Sequence, residues 1–240
     1  MRKTACLSIG LKLVTVVAVV LGLVLNFVNA EADGYSSASA RLLYFTNLSN
    51  IWVGAVAVLF LVLEIERLRT GIDKHGTWSY LLKLATTVSI TLTCVVFCAI
   101  LAPNADNANY DAWTAGSIIV HAIVPGLAIM DFVLDDGDIP FKKRHNLVSL
   151  IPPLCYFVFC IVLYLCNVDF GRGDNFPYFF LNFDSPAGIF GFSDEFPYRI
   201  GTFYWIVLIS LIVYSTSLLY SFVHNLKIKR KALMKDKNAG

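Results

Sequence analysis

The chain has 240 residues, 57% of them hydrophobic and only 15% charged, with a mean hydropathy of +0.67 and a net charge of +2. A soluble domain carries about 25% charged residues, so this composition excludes an ordinary water-soluble enzyme. So small a net charge gives no nucleic-acid footprint either.

Six apolar runs, at 9–29, 42–63, 81–102, 112–134, 147–167 and 200–224, each approach the ~20 residues that a helix needs to cross a bilayer. The short alternating strands of a membrane barrel are absent from the pattern, and there is no internal repeat. The predicted fold is all-α, a polytopic membrane protein forming one six-transmembrane-helix bundle over 1–240. The first run competes with a cleaved signal peptide, because Arg2 and Lys3 precede it and Val28-Asn29-Ala30 closes it. Lys12 delays its start, and the run is long for such a leader.

The second run opens with YFTNLSN at 44–50, then continues for thirteen residues without a charge. Thr46, Ser49, Asn50, Val53, Gly54 and Ala57 recur at helical spacing, forming one small and polar face. Interhelical packing explains such a face on its own. The third run carries Thr86, Thr87, Ser89, Thr91 and Thr93, which read as packing contacts. In the fourth, Thr114, Ser117, His121, Pro125 and Ala128 share a stripe. His121 is the one histidine deep in a run, and an ionisable residue at membrane depth is a candidate functional site. Pro125 has no N–H for the carbonyl four residues back, so the sequence predicts a kink and a freed carbonyl at His121. The acidic end of this run, DFVLDDGD at 131–138, reads as a solvated helix end with Asp131 partly buried, rather than as a Mg²⁺ site.

The connection 168–199 is long and rich in aromatics, including FPYFFLNF at 176–183 with Tyr178 and Asn182. It reads as an exterior segment folded over the bundle. The last run ends in a basic cytoplasmic tail at 225–240. Of the 19 Lys and Arg, all but Arg41, Arg172 and Arg199 fall on alternate connections that include both termini, so both termini are placed in the cytoplasm. The six cysteines lie in or beside apolar runs and read as packing residues. Cys94 and Cys98 lack His or carboxylate neighbours, and neither a metal nor a cofactor is expected.

Taken together, YFTNLSN, TVSITLTCVVF (87–97), HAIVPGLAIMDFVL (121–134), IPPLCYFVF (151–159) and FPYFFLNF resemble the androgen-induced-protein-like (FAR-17a-like) membrane proteins, in the bacterial form of the family. The motifs fall in family order over roughly residues 10–220. The resemblance implies a retained first span and an intramembrane hydrolase of fatty-acid esters of hydroxy fatty acids. It also implies a threonine on the second helix and a histidine on the fourth, which match Thr46 and His121. The residues alone point the same way, since a hydroxyl beside an imidazole is the pair that nucleophilic acyl transfer needs.

Asn47, Ser49 and Asn50 are then candidate oxyanion donors or supports for Thr46, with Ser117, Pro125, Tyr178 and Asn182 as further supporting or substrate-binding residues. The expected partner is a membrane lipid or lipid-like substrate, with no nucleic acid and no obligate protein partner, in a bacterial cytoplasmic membrane. Two alternatives remain open at this stage: a small-molecule or proton-coupled transporter relaying through His121 and Asp131, and a non-catalytic scaffold.

Overall fold

In hydrocarbon every backbone N–H and C=O must bond within its own segment, so each apolar run has one stable conformation, the helix. The computed structural model describes residues 2–103, 111–135 and 137–239. The described residues hold six helices long and apolar enough to cross a membrane. These are α1 (Arg2–Val28), α2 (Phe45–Thr70), α3 (Thr77–Val96, continued by a π-turn at Phe97–Leu101), α4 (Ala115–Leu134), α5 (Ile151–Leu165) and α6 (Thr202–Ala239). The chain is an integral membrane protein, and six crossings put both termini on one face. The basic connections assign that face to the cytoplasm.

Boundaries differ from expectation where polar residues continue the helical repeat. The second run was expected to end at 63, yet α2 carries Glu64, Glu66, Arg67 and Arg69 onward to Thr70. Gly71 stops it in the left-handed conformation, φ 73°, its N–H donating to the Arg67 carbonyl. The fifth span begins as a 3₁₀ segment, Lys143–Leu150, before Pro152 and Pro153 open α5. The tail expected after 224 is helical as far as Ala239, although Gly240 lies outside the described residues.

Helices α1 to α4 pack side by side, with α1 touching both α2 and α4, and α3 touching α2 and α4. Close approach of α1 and α4 depends on glycine. A Cβ at Gly22 would sit 2.7 Å from Ile119 and 2.8 Å from Val120, and one at Gly116 would sit 2.6 Å from the Asn26 amide oxygen. α5 and α6 lean against α3 as outer members, and the 3₁₀ segment joins them at their cytoplasmic ends. Farther out they touch one another slightly at most, which leaves a seam.

Exterior residues cap the bundle. Tyr44 meets Tyr35, Phe170 and Tyr178 edge to face at 5.5, 6.1 and 5.7 Å. Arg41 pairs with Asp33 and lies over the Tyr35 ring at 4.2 Å, while Arg172 covers Tyr35 at 4.4 Å and donates to the Asp33 carbonyl. These contacts tie the 168–199 connection to the entrance of α2.

Candidate active site

Thr46 lies in the first turn of α2, and the residues around it hold that turn from several sides. Ser49 Oγ donates to the Thr46 carbonyl at 2.9 Å and also meets Thr93 Oγ1 of α3 at 2.8 Å. Asn50 Nδ2 donates to the same carbonyl at 2.7 Å and, across to α4, to the Val120 carbonyl at 3.1 Å. One amide therefore ties the backbone beside the hydroxyl to the backbone beside the imidazole.

The local shape of α4 explains why Val120 needs that donor. Between Ala115–Ile118 and Val124–Leu134 the helix widens into a π-turn, Ile119–Ile123, in which the Val124 N–H reaches the Ile119 carbonyl. In this register the carbonyl facing Pro125 is that of Val120, five residues back, and Pro125 has no N–H to offer it. The freed carbonyl expected at His121 is thus displaced by one residue, and Asn50 satisfies it. π-turns of this kind are frequent at functional sites, and this one carries His121 at its centre.

His121 and Thr46 meet. Thr46 Oγ1 lies 3.3 Å from His121 Nε2, and both residues are buried, at 9% and 7% exposure. On the other side of the ring, His121 Nδ1 is 2.9 Å from the Ser117 carbonyl and 3.1 Å from Ser117 Oγ. A carbonyl oxygen only accepts, so this network assigns the proton to Nδ1 and leaves Nε2 bare to accept the Thr46 hydroxyl proton. Phe97 stacks on the imidazole, centroids 4.1 Å apart and planes 12° from parallel, which fixes the ring's tilt. Among the described residues no carboxylate orients this histidine; the Ser117 backbone does.

On the side of Thr46 away from α1 lies an apolar cleft of about 660 Å³, counted with its open mouth. Its polar lining residues are Thr46, Thr93, Ser210, Tyr156 and Tyr178. Its walls come from α3, α5, α6 and the exterior connection. Leu154, on its rim, is 42% exposed on the membrane-facing surface of α5. The cleft therefore opens along the seam between α5 and α6.

Two expected site residues lie elsewhere. Asn47 donates to the Arg41 carbonyl at 2.7 Å and accepts from Asn26 at 3.3 Å, so its amide anchors α1 and the entrance of α2 rather than facing the hydroxyl. Asn182 accepts from the Asp184 N–H at 3.0 Å and caps a 3₁₀ turn, away from the cleft wall. Ser49 and Asn50 act as supports for Thr46, because the amide and hydroxyl protons expected for an oxyanion go to carbonyls. Ser117, Pro125 and Tyr178 fall where they bear on the dyad or the cleft.

The cytoplasmic half holds a cluster that was not anticipated. Asp131 accepts from Lys12 of α1 at 2.6 Å and Lys83 of α3 at 2.8 Å, and Lys83 also pairs with Asp135 at 2.5 Å. Lys12 and Lys83 are 2% and 3% exposed. The acidic end of α4 is therefore an interhelical ion network, not a solvated terminus; Asp136 lies outside the described residues. The only sequence hint is that both lysines are set inside apolar neighbours rather than before them. Between this network and His121 sits a buried apolar layer of Val19, Val53, Ile90, Val124 and Ala128.

No protein-family model, curated protein or solved structure matches the chain.

Proposed function

We propose that the protein is an intramembrane lipid-ester hydrolase with Thr46 as nucleophile and His121 as general base, working in the outer half of a bacterial cytoplasmic membrane. The observation that carries this is the placement of His121 between the Ser117 carbonyl and the Thr46 hydroxyl. Ser117 holds the proton on Nδ1, so Nε2 faces the Thr46 hydroxyl, which also lines an acyl-sized cleft. A distance of 3.3 Å is long for catalysis, but such bonds commonly tighten only when substrate binds.

In the proposed reaction Thr46 Oγ attacks the ester carbonyl carbon as its proton passes to His121 Nε2. Collapse of the tetrahedral adduct breaks the carbon–oxygen bond to the leaving alcohol, which takes that proton. Water, deprotonated by the same Nε2, then releases the fatty acid and restores Thr46. A fatty-acid ester of a hydroxy fatty acid, or a similar acyl lipid, suits a cleft with apolar walls and a single polar corner. The rival proton relay from His121 to Asp131 is disfavoured by the apolar layer between them and by the two lysines that hold Asp131.

The test uses purified full-length protein, a fluorophosphonate probe and a p-nitrophenyl ester of a medium-chain fatty acid. Thr46→Ala is expected to abolish labelling and hydrolysis, and His121→Ala to slow acylation by about 10²–10⁴-fold. Hydrolysis by Thr46→Ala at the wild-type rate would sink the proposal.

A further inference from the structure

An ester hydrolase needs donors for the negative charge that forms on the carbonyl oxygen, and these are usually worth more than any other single contribution. The side chains beside Thr46 do not serve, because Ser49 and Asn50 give their protons to carbonyls. The first turn of α2 offers something else. The first N–H groups of any helix have no intrahelical acceptor. Here Tyr44 provides no side-chain cap, while the Asn47 and Leu48 N–H groups already bond its carbonyl. That leaves the N–H groups of Phe45 and Thr46 at the helix end, the second of them beside its own hydroxyl.

We infer that the oxyanion hole consists of the Thr46 N–H and the hydroxyl of Tyr178, reached from the exterior connection. Two tyrosines line the cleft with Thr46, and they differ in where their protons go. Tyr156 Oη donates to the Leu43 carbonyl at 2.9 Å, so its single proton is committed. Tyr178 instead lines the cleft with Thr46, its hydroxyl near the Thr46 side chain and backbone. Among the described residues, no carbonyl takes the Tyr178 proton.

The ring is held rigidly for this task. It stacks on Phe180 with centroids 5.1 Å apart and planes 5° from parallel, and Tyr44 closes on its edge at 5.7 Å. Enclosure also raises the Tyr178 phenol well above its ordinary range, so it keeps its proton and remains a donor at working pH. A substrate carbonyl oxygen inserted between the two groups takes over the N–H and receives the phenol proton's hydrogen bond. As Thr46 Oγ bonds to the carbon, the carbonyl π pair moves onto that oxygen. It returns when the leaving alcohol departs, with the Tyr178 proton shared but not transferred.

This inference rests on the hydrolase reading, and the test separates the two. In full-length protein, Tyr178→Phe keeps the stacking but removes the donor. Its kcat on the p-nitrophenyl ester is expected to fall by about 10²–10³, with KM and melting temperature unchanged. Affinity for a trifluoromethyl ketone, which forms a tetrahedral adduct with Thr46, is expected to fall by a similar factor, while affinity for the product fatty acid stays constant. If Tyr178→Phe keeps wild-type kcat while Thr46→Ala abolishes acylation, the oxyanion assignment fails alone. If Thr46→Ala is active, the parent reading fails.

Discussion

Replacing Asp131 by Ala tests what holds α1 against the bundle. Asp131 accepts from Lys12 at 2.6 Å and Lys83 at 2.8 Å, but the two lysines are not equally dependent on it. Lys83 keeps Asp135 at 2.5 Å, whereas Lys12 keeps only the Ser8 hydroxyl at 2.7 Å. The loss thus falls on Lys12, a cation that is 2% exposed and left with no paired carboxylate, only the more distant charge of Asp135. Removing one partner of a buried pair costs about 3–5 kcal/mol, because the survivor is desolvated and uncompensated. For a chain of this size each kcal/mol shifts the melting temperature by about 2–4 °C, giving an expected fall of about 6–20 °C. Replacing the pair together, Lys12→Met with Asp131→Leu, is expected to recover most of that fall, since an apolar pair carries no orphan charge. The assay is thermal unfolding of the detergent-solubilised protein by circular dichroism. An Asp131→Ala protein that melts within about 2 °C of wild type would refute the reasoning.

Two further expectations concern the cleft mouth and the acidic network. Under the proposed function, Leu154→Trp fills the rim between α5 and α6, so hydrolysis of a long-chain ester is expected to drop at least about tenfold more than labelling by a small fluorophosphonate; equal losses would show that substrate enters elsewhere. Burial alone would raise the Asp135 carboxyl, but the adjacent Lys83, then Lys12, pull it well below the usual carboxylate range. Its folded-state pKa therefore lies below the unfolded value of about 3.9, so its contribution to stability is full above that pH and is lost as pH falls toward the folded value. Asp135→Asn is expected to flatten the acid side of a melting temperature–pH curve, and an unchanged acid limb would count against it.

The spans and the Thr46–His121 meeting were legible because periodicity in hydrocarbon leaves few alternatives. A small polar stripe on α2 and a histidine on α4 each need a partner, and the depths of the two spans allow them to share one. What stayed hidden depends on a single added residue in the turn. The π-turn at Ile119–Ile123 moves the unsatisfied carbonyl from His121 to Val120, and no local pattern announces that shift. Asn47 and Asn50 illustrate the same limit. Both are asparagines in one helical turn, yet one reaches back to Arg41 and the other across to α4. Lys12 and Lys83 were read as flanking charges because long lysine stems ordinarily reach toward the interface. Here Asp131 holds both of them inside. Asp131 itself was legible only as partly buried, since its counter-charges lie 119 and 48 residues away in sequence.

Under the proposed function, the seam between α5 and α6 changes what concentration means for this protein. A site fed from bulk water responds to how much substrate is dissolved in a given volume. A slot that opens onto hydrocarbon responds instead to how many neighbouring lipids are substrate, a quantity set within the plane of the membrane. Under the proposed function, adding inert phospholipid to a fixed amount of ester should slow turnover even though nothing in the aqueous phase has changed. Swelling the buffer around the same vesicles should leave turnover as it was. Such a catalyst is sensitive to crowding, domain formation and acyl order in its own leaflet, so the bilayer that holds it in place also sets its working rate.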